Sequence, residues 1–341
     1  MIDQNETEYS RDIAIIGAGP AGLFAAFECG MLGFSVVVID SLEHMGGQCT
    51  ALYPEKPIYD IPAYPTILAG DLIEELEAQA APFNPLYLLG QSVDKFEGDI
   101  GNFTLITSKG ISVTAKAVII AGGAGCFGPN KPPLDGIEQF EGRSVFYSIR
   151  HKDSLRGKNI LIAGGGDSAV DWAIALADVA ADIHVVHRRD KFKAAPASLE
   201  RLKNLVAQER IHLHTPYQLK SLTGNHGILN SITIETLEGD ERIIKADILL
   251  PFFGLSAELG TISDWGLALN KSTITIDPTT ASTSIKGVYA VGDIAHYPHK
   301  LKLILNGFSE GAIAAHSARR DLFPDEVYHF EYSTSKGIPK S

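Results

Sequence analysis

Three groups of residues in this 341-residue chain could act on the same kind of molecule. Gly17, Gly19 and Gly22 follow the apolar run Ile13–Ile16 in G-x-G-x-x-G spacing, and Asp40 follows Gly17 by 23 residues. Gly164, Gly166 and Ala169 repeat the pattern after Asn159–Ala163, with Ser168 beside them in GGGDSA. There the position matching Asp40 holds His187, and Arg188 and Arg189 come next. A glycine turn between strand and helix lets a diphosphate approach the backbone and sit on free N–H groups at the helix N-terminus. A carboxylate at the end of the second strand accepts ribose hydroxyls and repels a 2′-phosphate, whereas paired guanidiniums attract one. The residue types therefore predict two dinucleotide sites, the first for FAD or NAD and the second for NADPH.

Each group needs a βαβ unit to position it. The first is read as a strand over Ile13–Ile16, a helix to about Met31 and a strand over Val36–Ile39 ending on Asp40. The second is read as a strand over Asn159–Ala163, a helix over Asp171–Ala180 and a strand over Asp182–Val186. A loop bearing Tyr53, Tyr59 and Tyr64 is expected to lie over a ligand, followed by an amphipathic helix over Gly70–Ala81. Alternation over residues 86–118 predicts short strands turning near Gly101 and Gly110. The Gly- and Pro-rich run after Ala121 and the segment Phe252–Ser256 are read as crossings between two domains. Later come a hairpin over Ile232–Ile244 turning at Gly239, a buried strand over Lys245–Pro251 and a short strand over Thr273–Ile276. In KGVYAVGD, a strand is expected to end with Gly292-Asp293 heading a helix, and the last helix is read as about Gly307–Arg319.

The bulk numbers narrow the class. Hydrophobic residues make up 45% and charged residues 21%, a globular composition. A formal net charge of −12 argues against general binding to nucleic acid or anionic membrane. The three cysteines, Cys29, Cys49 and Cys126, form neither a C-x-x-C pair nor a zinc spacing, so no metal site is expected. So few cysteines suit a reducing cytoplasm. The polar, acidic opening MIDQNETEYS is not a signal peptide.

GAGPAG, GGGDSA with HRR after its strand, and VYAVGD together resemble the two-domain flavoprotein reductases of the thioredoxin-reductase type. The resemblance covers nearly the whole chain. It implies an α/β fold of two Rossmann-like (three-layer ββα) dinucleotide-binding domains, with the NADPH domain inserted into the FAD domain. The FAD domain would be 1–124 and 254–341, and the NADPH domain 125–253. Thioredoxin reductases carry a C-x-x-C before the second glycine motif, where this chain has Ser148-Ile149-Arg150-His151.

The loop Gly46–Pro62 and the late Ser333-Thr334-Ser335 are more similar to the ferredoxin–NADP reductases of that type. That resemblance implies FAD contacts at Asp40, Gln48, Tyr53, Val93, Phe127, Asp293 and Thr334. Tyr53 and Tyr332 would stack on the two faces of the flavin ring. It also implies a homodimer in the cytoplasm, ferredoxin or flavodoxin as partner, and no catalytic acid–base set. Electrons would pass from NADPH to flavin and on to an iron–sulfur protein, reversibly. Alternatives are a reductase of a quinone, a small disulfide or oxygen, or a non-catalytic flavin redox sensor. An acidic chain meeting an acidic ferredoxin needs a local basic patch, with Lys300, Lys302, Lys336 and Lys340 as candidates.

Overall fold

The structure, a computed structural model, describes residues 7–123, 125–149 and 151–326, with Thr334 and Gly337; side chains of residues 126–129 and 255–257 lie outside the description. The chain divides into two compact units, Met1–Phe127 with Ala257–Ser341, and Gly128–Ser256.

In the first unit, β1 (Glu8–Ile16) lies between β2 (Val36–Asp40) and the strand Ser112–Ile120, parallel to both. Leu86–Leu89 continues the parallel sheet beyond β2, and Val288–Ala290 pairs with Ser112–Ile120. Val93–Asp99 and Asn102–Thr107 extend it as an antiparallel meander. Ile13, Ile15, Val37, Val38, Ile119 and Ile120 are buried on both sides of their strands. Continuous apolar runs of this kind are what a covered parallel sheet requires. Each such side chain contributes roughly 1.5–3 kcal/mol of transfer free energy.

Helix α1 (Pro20–Met31) starts directly at the first glycine turn, with Pro20 at its first position. A short helix α2 (Gln48–Leu52) and α3 (Ala69–Ala80) follow. The loop expected to bear Tyr53, Tyr59 and Tyr64 is thus preceded by the short helix α2, which ends next to Tyr53.

In the second unit, four parallel strands run in the order His212–His214, Asp182–Val186, Asn159–Ala163, Ile248–Pro251. One face carries α4 (Asp167–Leu176), which packs on α5 (Pro196–Ala207). Over the other, Leu229, Ile232, Ile234 and Ile244 of an antiparallel three-stranded sheet pack on Leu161, Val186 and Leu249. This is a ββα layering.

Two expectations are corrected. Helix α4 begins at Asp167, four residues before the expected Asp171. Gly166 is its extended N-cap, so polar Asp167 and Ser168 form its first turn. Gly292–Ile294 is only a 3₁₀ turn; the long helix α6 (Ile304–Leu322) starts ten residues later. Gly307 and Gly311 let α6 approach α1, because a Cβ on Gly307 would lie 3.0 Å from the Ala21 Cβ and one on Gly311 3.4 Å from the Ala25 Cβ.

Candidate nucleotide sites

The first glycine turn is built by exclusion. Gly17 has φ +110, and a Cβ there would lie 2.4 Å from the Ala121 carbonyl oxygen. A Cβ on Gly22 would lie 1.9 Å from the Gly17 carbonyl oxygen. At Gly19 a Cβ would meet nothing within 4 Å. Two glycines are therefore demanded by the protein's own backbone. The third leaves an open approach to the N–H groups at the start of α1, the place where a diphosphate is stabilised.

Asp40, at the end of β2, is buried, with 9% of its surface exposed. One of its carboxylate oxygens accepts the Ala18 N–H at 2.6 Å and the other accepts the Leu42 N–H at 2.8 Å. Burial raises its carboxyl above the usual carboxylate range, and those two N–H donors oppose the shift. Asp40 therefore shapes the glycine turn and keeps one free lone pair on each oxygen for a ligand hydroxyl.

The turn opens into a cavity of about 290 Å³. Gly17, Gly19, Asp40, Gln48, Tyr53, Val93 and Asp293 all line it, drawn together from positions 276 residues apart (17 to 293). Gly22 stands behind the wall. The Val93 carbonyl accepts the Thr261 hydroxyl at 2.7 Å. Tyr53 caps α2, with its hydroxyl donating to Cys49; burial, and then Cys49, raise its pKa. The Cys49 thiol is itself pushed up to about 11, chiefly by burial, so it is neutral near pH 7. Among the described residues Cys29 and Cys49 are free, and neither belongs to a redox pair.

Several lining residues carried no sequence signal, among them Gln91, Thr261 and Trp265. Gln91 is 6% exposed, and its Oε1 has no hydrogen-bond partner among the described residues. A buried orphan acceptor on the wall of a cavity suits a donor group on a bound ligand. The donor set fits FAD. An open glycine turn at a helix N-terminus suits a diphosphate, an aspartate at the strand end suits a ribose, and the apolar walls suit flat rings.

Phe127 and Tyr332 are different cases. The Phe127 backbone lies in a short strand, but its side chain is outside the described residues, as is all of Tyr332. Thr334 is exposed. Lys336 and Lys340 also lie outside the described residues. Lys302 is exposed on the cavity rim. Lys300 is not a free surface charge: its side chain is 5% exposed and ion-paired with Glu310.

The second turn is more open. Gly164 is needed, because a Cβ there would lie 2.6 Å from the Phe252 carbonyl oxygen. A Cβ on Gly166 would meet nothing within 4 Å, and Ser168 beside it is exposed. The chain after Asp182–Val186 folds back over the turn, with the Lys193 N–H donating to the Gly165 carbonyl at 2.7 Å. His187 lies against Gly165, where a Cβ would come within 2.3 Å of its ring. Burial first, and then the charges of Arg188 and Arg189, lower the His187 pKa. Both arginines are exposed. The ring packs on the turn, and the guanidiniums stay exposed beside it.

The profile of the pyridine nucleotide-disulphide oxidoreductases matches residues 11–311. The chain belongs to that family. Its relatives place it among the ferredoxin–NADP reductases. The ferredoxin–NADP reductase of Granulibacter bethesdensis is 57% identical over 329 residues, covering 96% of this chain and 94% of that one. The ferredoxin–NADP reductase of Rhodospirillum rubrum is 54% identical over 337 residues, covering 98% of each. Among solved structures, a Lactococcus lactis thioredoxin reductase shares the fold with a TM-score of 0.79 at 25% identity, covering 92% of this chain and 99% of that one. No helix among the described residues is long and apolar enough to cross a membrane. No group of described residues is arranged to hold a metal ion.

Proposed function

We propose that the chain moves electrons between NADPH and ferredoxin through FAD, as its closely similar relatives' names indicate for those proteins. It is an oxidoreductase whose cofactors are FAD and NADPH. The observation that carries the reading is the pairing of one glycine turn that lines a cavity with one open, arginine-flanked turn in a chain without a described redox cysteine pair. Bound FAD would take a hydride from NADPH and release electrons singly, so the protein supplies binding and orientation.

We assign FAD to the unit Met1–Phe127 with Ala257–Ser341, and NADPH to Gly128–Ser256. In the first, the N–H groups at the head of α1 hold the diphosphate, with Gly19 open beneath it. Asp40 accepts ribose hydroxyls, and Asp293 and Gln48 present polar groups from the cavity wall. Tyr53, oriented by its bond to Cys49, offers a ring face. Keeping the thiol protonated prevents Cys49 from attacking the flavin or a substrate. In the second, Gly166 and Ser168 receive the diphosphate, and Arg188 and Arg189 receive the 2′-phosphate.

The assembly we favour is a cytoplasmic homodimer whose C-terminal segment, with Tyr332 and Thr334, serves the partner's flavin. What supports it is the family resemblance of the S-T-S segment and the pair of free cysteines. NADPH-dependent reduction of cytochrome c, with and without added ferredoxin, tests the function. Strong stimulation by ferredoxin supports it. Equal rates without ferredoxin would favour a direct reductase of small acceptors.

A further inference from the structure

The VGD turn at the cavity has an anchor that the sequence motif does not contain. Gly292 sits at φ +75, a left-handed conformation that favours glycine, and its N–H points away from the regular strand pairing. That N–H donates to one carboxylate oxygen of Glu310 at 2.7 Å. The other Glu310 oxygen accepts the Tyr297 hydroxyl at 2.8 Å and the Lys300 ammonium. The Lys300 ammonium also lies 5.0 Å from the Tyr297 ring centroid. Glu310 is 4% exposed, one turn along α6 from Gly307, which lines the cavity with Gly292 and Asp293.

A buried ion pair adds little to stability beyond an apolar pair of the same volume. Stability alone therefore does not explain a charged pair here. Both oxygens of Glu310 are used, and one of them is used on the backbone of the residue before Asp293. The geometry points to Glu310, neutralised by Lys300 and steadied by Tyr297, as the positioning residue that fixes Gly292 and so holds Asp293 toward the flavin. Lys300 makes it possible to bury that carboxylate. Glu310 touches neither substrate nor cofactor in this assignment; it acts through Gly292.

The inference rests on FAD as the occupant of the cavity, and the test separates the two. Two neutral double variants are compared as purified holoenzymes. In Glu310→Gln with Lys300→Met, an acceptor for the Gly292 N–H remains. In Glu310→Leu with Lys300→Met, the volume remains and the acceptor is gone. FAD release on dilution is followed by the rise in flavin fluorescence, and the visible absorption bands of the bound flavin are recorded. The Gln form should release FAD within about threefold of wild type, and the Leu form about tenfold faster with shifted bands, the loss expected when a buried N–H is left unpaired. NADP binding to the second site should be the same in both.

Tyr297→Phe keeps the packing and removes one bond to Glu310, so it should release FAD a few-fold faster with an unchanged melting temperature. It gives a result even if the Leu form does not fold. Equal release rates and bands in the two double variants overturn the inference, as does wild-type release from Tyr297→Phe when the Leu form cannot be purified. A wild-type protein that purifies without flavin would instead defeat the reading of the cavity itself.

Discussion

The two glycine turns share a motif and differ in what closes around them. In the first, the third position is Gly22, pressed so closely on Gly17 that no side chain fits. In the second it is Ala169, fully buried and tolerated. After the first unit's strand comes a buried Asp40, bonded back to the turn. After the second comes His187 on the turn and two exposed arginines. The first turn faces a cavity whose wall draws on both ends of the chain; the second faces outward from a local βαβ unit. The difference suits a cofactor that stays and a substrate that exchanges. A ligand surrounded by fixed groups leaves slowly, whereas one held mainly by surface charges and a helix end turns over.

The largest effect should come from a single methyl group. Gly22→Ala forces a Cβ against the Gly17 carbonyl and should cost at least about 3 kcal/mol, with loss of bound FAD. Gly166→Ala meets no protein atom and should leave stability within about 0.5 kcal/mol, yet raise KM for NADPH. Thermal melting, flavin content and KM measured on both variants would break the comparison if the two behaved alike.

Next in size is the arginine pair. Arg188→Ala with Arg189→Ala removes charge-assisted contacts worth about 1.5–3 kcal/mol, or roughly 10- to 150-fold in KM for NADPH. KM for NADH should hardly change, and flavin content should not. Equal losses with both nucleotides would mean that the arginines do not read the 2′-phosphate.

Acid should distinguish the units by a smaller margin. Burial, then His184 and Arg242, hold the His214 imidazole down at about 4, against an ordinary 6.5. Burial also lowers His184 and His187. A histidine with a depressed pKa contributes stability above 6.5 that is lost as pH falls toward its folded value. In the first unit, burial raises the Asp12 pKa, but bonds from Lys116 and Ser35 outweigh it and leave it lowered. That contribution is lost only as pH falls below its usual 3.8. Only His316 there is a described histidine with a lowered pKa. Between about pH 7 and pH 5, protection from hydrogen exchange, taken relative to the intrinsic rate at each pH, should therefore fall more in Asp182–Val186 than in β1. His214→Gln should narrow that gap, and a gap of the opposite sign would count against the assignment of buried neutral histidines.

The smallest effect concerns the partner. Under the proposed function only the first site has to meet a protein, and of the proposed lysines only Lys302 is, among the described residues, an exposed charge at the cavity rim. Lys302→Glu should slow ferredoxin reduction a few-fold at low salt, with the difference fading as screening shortens to about 8 Å near physiological ionic strength. Turnover with a small neutral acceptor should stay the same. A salt-independent ferredoxin rate would place the docking surface elsewhere.

The sequence was most legible where one local rule decides the outcome. Val36–Asp40 is a strand because a continuous apolar run must be covered, and it ends where Asp40 turns to the glycine loop. Gly17, Gly22 and Gly164 are legible because the neighbouring backbone leaves no room for a side chain there. The sequence pattern places the start of α4 late because Asp167 and Ser168 look like loop residues, although a first turn favours an acid near its free N–H groups. Lys300 looks like a surface charge because its partner, Glu310, belongs to no motif in the sequence; only the seating of α6 brings the carboxylate under Gly292. Gln91 had no signal at all, since a glutamine between strands is ordinary until a cavity forms beside it. Side chains whose role depends on contacts between distant segments are those the linear pattern leaves silent.

The central claim is that electrons enter from the open site, pass through a resident flavin and leave to an iron–sulfur protein. Anaerobic mixing of the purified yellow protein with NADPH, followed by oxidised ferredoxin, tests it directly through the flavin absorbance. The account predicts bleaching at or above the turnover rate, slowed strongly by the double arginine variant, and recovery of the flavin bands as ferredoxin is reduced. A flavin that stays oxidised with NADPH, or one that bleaches and is not reoxidised by ferredoxin, would contradict it.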